Sequence, residues 1–236
     1  MKPQRLTAKL SDKQVFNEKF TQYVFEMEHP NRLEFDSGQY VSIAVDETGD
    51  RRSYSICSNP DTNHSFELLV DHSPNGKGTN FFKKLEFGDE IDVLGPLGRF
   101  VLAPPKEGED EIIFVATGSG IAPFRSMALY LLRDLGEKRP VTLYWGHRFV
   151  EELFWENEFQ DLVEAYDNFK FHPVISKAVE EWSLCKGRVT DCLSIHDIPV
   201  KGCYYLCGNA KMIEDVNNLL QSRGVPKENI HFEKFN

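Results

Sequence analysis

The chain has 236 residues, 41% hydrophobic and 27% charged, with a net charge of -10. This composition fits a folded globular protein of one large or two modest domains. It argues against a general nucleic-acid binder, which needs a basic surface, and no apolar run approaches the about 20 residues of a membrane-spanning helix, so neither nucleic acid nor a membrane span is expected.

The opening MKPQRLTAKLSDK lacks the apolar core of a signal peptide. The cysteines are Cys57, Cys185, Cys192, Cys203 and Cys207, an odd number without a C-x-x-C pair. Reduced thiols and a cytoplasmic location are expected. No zinc or iron–sulfur ligand set is evident, and the seven histidines show no H-E-x-x-H spacing, so no metal is expected.

In chain order, residues 16–28 alternate loosely and predict a strand. Further strands are predicted at 40–45, 52–57, 66–70 and 90–94, with one helical piece near 79–85. Short strands separated by turn residues suggest an antiparallel barrel or sandwich. A polar connector, PPKEGED from Pro104 to Asp110, follows. Beyond it the rhythm changes to strands at 112–116, 141–145, 169–174 and 203–207. These alternate with helices at 124–135, near 151–166 and at 210–223, and 187–195 is a further element. Such alternation predicts a parallel sheet with helices on both faces. The two domains expected are residues 1–103 and 111–236, with the boundary near 103–111.

Three turns carry chemistry. Ile112 to Ala116 reads as a buried strand, followed by Thr117-Gly118-Ser119-Gly120 and a helix starting near Pro123. Glycines allow the backbone to turn and a ligand to approach. Free N–H groups at the following helix suit a phosphate. The third glycine of the dinucleotide fingerprint is absent, and a purely structural strand–helix turn fits as well. Arg52 and Tyr54 share a strand face, with Ser55 on the other. They offer a charged fork and a flat ring to a phosphate-bearing ligand, or are a surface Arg and a half-buried Tyr. Gly76-Lys77-Gly78-Thr79 leads into a helix, as an anion site or as a hairpin tip capped by Thr79. Gly95-Pro96-Leu97-Gly98 reads as a structural tight turn.

Six motifs occur in order: R-x-Y-S, G-x-x-T, GPLG, TGSGIAP, YWGHR and LCGNAKM. In this set and spacing the chain resembles the ferredoxin–NADP reductase superfamily of flavoprotein oxidoreductases. Its C-terminal part is similar to reductase components of bacterial oxygenases. Those often carry a fused [2Fe–2S] domain, and none is expected here. The resemblance implies a two-domain fold: an N-terminal antiparallel β-barrel that binds FAD and a C-terminal doubly wound α/β parallel sheet that binds NAD(P).

Carried over residue by residue, Arg52 holds the FAD pyrophosphate, Tyr54 lies against the flavin ring and Ser55 approaches the flavin N5 region. Gly76, Gly78 and Thr79 supply the second pyrophosphate contact. Thr117, Gly118, Gly120, Ala122 and Pro123 face the nicotinamide nucleotide, with Cys207 and Gly208 beside the nicotinamide. Glu233 matches a position near the flavin, and Phe235 covers the other face of the ring. Ser55, Cys207 and Glu233 are therefore the expected catalytic residues, although the flavin carries the chemistry.

The implied reaction transfers a hydride between NAD(P)H and FAD and passes electrons singly to a ferredoxin, a flavodoxin or an oxygenase component. Two alternatives stand beside it. One is an NAD(P)H-dependent reductase of free flavin or ferric chelates. The other is a flavin- or nucleotide-binding subunit without turnover. Arg148, Ser176, Lys177 and Arg188 lean towards the 2′-phosphate of NADPH. Ser176-Lys177 stands where NADPH-using members often carry Ser-Arg. Glu151-Glu152 and the oxygenase resemblance lean towards NADH.

Overall fold

The computed structural model describes residues 2–235, so Met1 and Asn236, the outer ends of the two expected domains, lie outside the described residues. The chain divides into two compact units, Met1–Leu102 with Ala122–Asp134, and Ala103–Ile121 with Leu135–Asn236. No helix among the described residues is long and apolar enough to cross a membrane.

The first unit is a six-stranded sheet of β1 (Gln4–Val15), β2 (Phe20–His29), β3 (Tyr40–Ala44), β4 (Arg51–Ser55), β5 (Ser65–Asp71) and β6 (Glu90–Leu97). The order is β4-β3-β6-β1-β2-β5, with antiparallel pairing throughout. Just past β4, Ile56 bridges to Leu68 of β5, so the two edges meet and the sheet nearly closes into a barrel. Leu6, Ala8 and Leu10 of β1 turn inward at a period of two and join Phe25, Val41, Ile43, Phe66 and Val93 in one core. Helix α1 (Lys77–Lys84) docks on this barrel through the fully buried Phe82. The Phe82 ring meets Tyr54 and Tyr23 edge-on, with centroids 4.8 and 4.9 Å away. The Tyr23 hydroxyl donates to the Phe82 carbonyl at 3.1 Å.

The second unit is an all-parallel sheet of β7 (Ile112–Thr117), β8 (Val141–His147), β9 (Phe169–Ile175), β10 (Cys185–Lys186), β11 (Cys203–Asn209) and β12 (Ile230–Phe235). Its order is β10-β9-β8-β7-β11-β12. Every residue of β8 is buried, as expected for a strand covered on both faces. Tyr144 faces the cluster built with helices α4 (Val189–Ile195) and α5 (Ala210–Ser222). The next residue, Trp145, faces the opposite side, where Phe159 of α3 (Glu156–Ala165) lies 6.0 Å away between ring centroids. The chain winds outward from β7 to β10, then returns to β11 on the other side of β7. The switch point therefore lies between β7 and β11.

Several expectations are corrected. β1 was not anticipated, because its apolar residues are small or spaced among Lys9, Ser11, Asp12 and Lys13. The strand expected from residue 16 starts at Phe20, after a turn in which the Asn17 side chain accepts from the Lys19 and Phe20 N–H groups. GPLG is no separate tight turn at its start, since β6 runs through Leu97. The helix expected at 151–166 is a short 3-10 turn, Val150–Glu152, followed by α3. β10 and β12 escaped detection, β10 because it has only two residues. Nor are all thiols reduced: Cys185 and Cys192 form a disulfide. Folding β10 against α4 brings their Cα atoms to 5.8 Å, which a spacing of seven residues does not reveal.

Phe82→Ala is expected to destabilise the protein by about 3–5 kcal/mol, because it empties a buried aromatic site between helix and barrel. Urea unfolding followed by far-UV circular dichroism measures this.

Candidate functional site

Two groups of residues have the chemistry of ligand sites. In the first, β4 places Arg52 and Ser53 on the exposed surface, Tyr54 half-buried and Ser55 buried. Arg52 and Tyr54 pair with Ile43 and Val41 of β3. Helix α1 starts immediately after Gly76, which has no side chain to cap it. Thr79 does not cap the helix either; its hydroxyl donates to the Gly76 carbonyl at 2.9 Å. Gly78 is packed so tightly that a Cβ there would collide with the Tyr54 hydroxyl and stand 3.2 Å from Arg52 Cγ. The structure thus brings Arg52, Tyr54, Gly76, Gly78 and Thr79 together.

Lys77 fixes the start of this helix. Its ammonium bonds Asp46 Oδ2 at 2.7 Å and also Asp50, both around the turn that joins β3 to β4. The hydrogen bond from Lys77, helped by one from Thr48, holds the Asp46 carboxyl far below its usual range, and the same pairing raises the Lys77 ammonium. Lys77 is exposed and the two aspartates are only partly buried, so the contacts serve position more than stability. Burial, opposed in part by the Arg52 charge, pushes the Tyr54 hydroxyl up to about 12, so it stays protonated at neutral pH. The donor set fits a pyrophosphate: the positive end of a helix with no side-chain cap, beside an exposed, permanently charged guanidinium.

The second group sits at the switch point, the usual ligand crevice of an open parallel sheet. β7 ends in Thr117, and one 3-10 turn, Gly118–Ile121, leads directly into helix α2 (Ala122–Leu129). Pro123 is therefore the second residue of the helix. The neighbouring β11 carries Cys207, Gly208 and Asn209 at its end. The two turns touch. A Cβ on Gly120 would collide with the Cys207 carbonyl and stand 2.8 Å from Gly208 Cα. Gly208, at φ +132°, would drive a side chain into the Thr117 hydroxyl. That hydroxyl accepts the Asn209 N–H at 3.2 Å. The Trp145 indole N–H donates to the Gly118 carbonyl at 2.9 Å and fixes the turn from the next strand.

Cys207 is buried, and its thiol is pushed well up, first by burial and then by the charge of Glu233. It stays protonated at neutral pH and shapes the site rather than attacking as a thiolate. Glu233 lies opposite Cys207 in the β11–β12 register, and Phe235 lies opposite Asn209.

The expected cations follow successive strand ends. Arg148 follows β8, Ser176 and Lys177 follow β9, and Arg188 follows β10; all four residues are exposed. The Ser176 N–H donates to the His147 carbonyl at 3.0 Å and the Lys177 N–H to the Arg148 carbonyl at 2.8 Å, so the two strand ends continue side by side. Asp191 in the first turn of α4 accepts the Arg188 N–H at 2.7 Å. The acidic residues intrude at one point, where Glu152 accepts the Arg148 N–H at 3.1 Å.

Sequence reasoning missed Lys77 with Asp46 and Asp50, Trp145 and Asp191. A lysine at the first helical position was the only signal for the first, because the carboxylates lie 31 and 27 residues away. Gly120→Ala is expected to cost about 1–3 kcal/mol, since the clash is with backbone that has nowhere to move. A thermal melt beside wild type checks it.

Two family models match. An oxidoreductase FAD-binding domain matches residues 7–102, and an oxidoreductase NAD-binding domain matches residues 114–218. The chain is 30% identical over 210 residues to the anthranilate 1,2-dioxygenase electron transfer component of Acinetobacter baylyi, covering 88% of this chain and 60% of that protein. It is 33% identical over 208 residues to the phenol 2-monooxygenase reductase component of Pseudomonas sp. (strain CF600), covering 86% and 58%. The chain thus spans about three fifths of the length of these relatives. Among solved structures, the Amycolatopsis cytochrome P450 reductase GcoB superposes with a TM-score of 0.89 at 30% identity, over 99% of this chain and 70% of that one.

Proposed function

The chain belongs to the ferredoxin–NADP reductase-like family of FAD- and NAD-binding oxidoreductases, and from that premise we propose that it is an electron-transfer reductase that takes reducing equivalents from NADPH and delivers them to an oxygenase component. The single observation that carries the reading is the pair of interlocked glycine turns at the sheet switch point, in a chain that also holds an uncapped helix start beside Arg52. When bound, FAD supplies the redox chemistry, accepting a hydride from the nicotinamide and returning electrons singly.

The protein's part is to bind and orient. Arg52 and the Gly76–Thr79 helix start hold the flavin pyrophosphate, and Tyr54 presents its ring to the flavin. Ser55, Glu233 and Phe235 serve the reacting end. Thr117, Gly118, Gly120, Ala122 and Pro123 hold the nicotinamide nucleotide, with Cys207 and Gly208 shaping the place of its ring. Because burial keeps Cys207 protonated, its role is steric, and Cys207→Ser should change hydride-transfer geometry rather than remove a nucleophile.

NADPH is preferred to NADH because Arg148, Lys177 and Arg188 are exposed cations at consecutive strand ends on one side of the switch point, with the Ser176 hydroxyl among them. The oxygenase partner is proposed from the names of the relatives, whose length this chain covers only in part. A ferredoxin or flavodoxin would accept electrons by the same chemistry.

Two outcomes test the assignment. Arg188→Ala should raise the KM for NADPH about tenfold or more while barely changing that for NADH, as loss of a charge-assisted contact to the 2′-phosphate requires; equal effects on both nucleotides would remove the 2′-phosphate assignment. Gly78→Ala should displace Tyr54 and lower the FAD content of the purified protein, read from the ratio of flavin to protein absorbance. Unchanged flavin content would remove Gly78 and Tyr54 from the flavin site.

A further inference from the structure

The disulfide between Cys185 and Cys192 lies at the edge of the sheet that carries Arg188. Cys185 opens the two-residue pairing of β10 with β9, opposite Val174. Cys192 sits in α4 and is 1% exposed, whereas Cys185 is only half-buried. The bond closes a small ring with Gly187 and Arg188 in its middle. Gly187 turns there at φ +97°, donates to the Ile175 carbonyl at 3.0 Å, and leaves so little room that a Cβ would meet Asp191 Oδ2 at 2.7 Å. Arg188 follows at once, as the residue before α4. The imidazole of His196, just past α4, places Nε2 3.9 Å from Cys185 Sγ. The two sulfurs and this nitrogen all lie within 4.8 Å of one another.

A buried cysteine, a more accessible cysteine and a base beside the accessible one are the parts of a thiol–disulfide exchange centre. We propose that Cys185 and Cys192 form a reversible thiol–disulfide site for low-molecular-weight disulfides of the glutathione class, with Cys185 as the attacking sulfur and His196 as its proton acceptor, and that its oxidation tightens binding of 2′-phosphorylated nucleotide by fixing Arg188. The last clause rests on the nucleotide reading given above; the exchange chemistry does not.

The step balances. His196 takes the Cys185 proton, and the Cys185 thiolate attacks one sulfur of oxidised glutathione, releasing one glutathione and leaving a mixed disulfide. The Cys192 thiol then loses its proton to water and attacks Cys185 Sγ, forming the internal bond and releasing the second glutathione. Two protein thiols are oxidised and one small disulfide is reduced to two thiols. Dithiothreitol reverses the protein's oxidation: its two thiols attack in turn, returning Cys185 and Cys192 to thiols and closing to a cyclic disulfide.

The full-length protein, reduced and then incubated with oxidised glutathione, should lose two of its five titratable thiols under denaturing conditions, with peptide mapping joining Cys185 to Cys192. Cys192→Ser should trap a glutathione adduct on Cys185, while Cys185→Ser traps none, and His196→Gln should slow the exchange without changing its end point. NADP+ should bind the oxidised form at least about fivefold more tightly than the reduced form, within the usual range of coupling between sites, whereas NAD+ should not distinguish them. Five thiols persisting under oxidant, an adduct on Cys192 alone, or a stoichiometric zinc ion that co-purifies and shields both thiols would overturn the exchange site. A disulfide that forms as described while NADP+ affinity stays constant would overturn the coupling. In that case the Arg188→Ala comparison separates the two causes: an NADPH-selective loss keeps the nucleotide reading, and a non-selective result removes it.

Discussion

One steric constraint organises the parallel sheet's candidate site: at the end of the first parallel strand and of its neighbour across the switch point, two turns approach so closely that only glycine fits. Gly120 rests against the Cys207 carbonyl and Gly208 against the Thr117 hydroxyl. Each turn therefore sets the position of the other. A parallel sheet already leaves a crevice where its winding reverses. Interlocked glycines keep backbone, rather than side chains, at the floor of that crevice. The Trp145 indole extends the lock to the next strand through the Gly118 carbonyl. Buried Cys207 completes it as a neutral, space-filling thiol.

The barrel unit solves a similar problem by different means. Its candidate anion site is built from a helix start with no side-chain cap and an arginine on a strand edge, groups that the chain itself must hold in place. Phe82 anchors the helix from below through Tyr54 and Tyr23. Lys77 anchors it from outside through Asp46 and Asp50. The packing contact supplies stability, because it removes a large ring from water. The ion pairs, made by an exposed lysine, supply direction. The acidic net charge of the chain is compatible with both sites, since each needs only a few cations at one place.

How much of this was legible in the sequence follows from the range of each interaction. The change from short alternating strands to a strand–helix rhythm was visible, because hydrophobic period is local. So were the glycine turns and the order of six motifs. β1 was not visible: its inward residues include Ala8, and its register is set by β2 and β6 rather than by local pattern. Two-residue β10 has no period to read. The candidate site residues could be named from their motifs. Their mutual contacts could not, because Gly120 and Cys207, or Lys77 and Asp46, are distant in sequence and meet only in the fold. The disulfide was missed although its cysteines are only seven residues apart. Spacing gave no sign that Cys185 on the sheet edge faces Cys192 on a helix.

The most direct test of the central claim is an anaerobic absorbance spectrum of the purified protein, supplied with FAD where needed, before and after NADPH or NADH is added in parallel. A bound-flavin spectrum that bleaches on mixing, faster with NADPH than with NADH, is the predicted result. A protein that holds no flavin after FAD is supplied, or one whose bound flavin neither nucleotide bleaches, would contradict the reductase assignment.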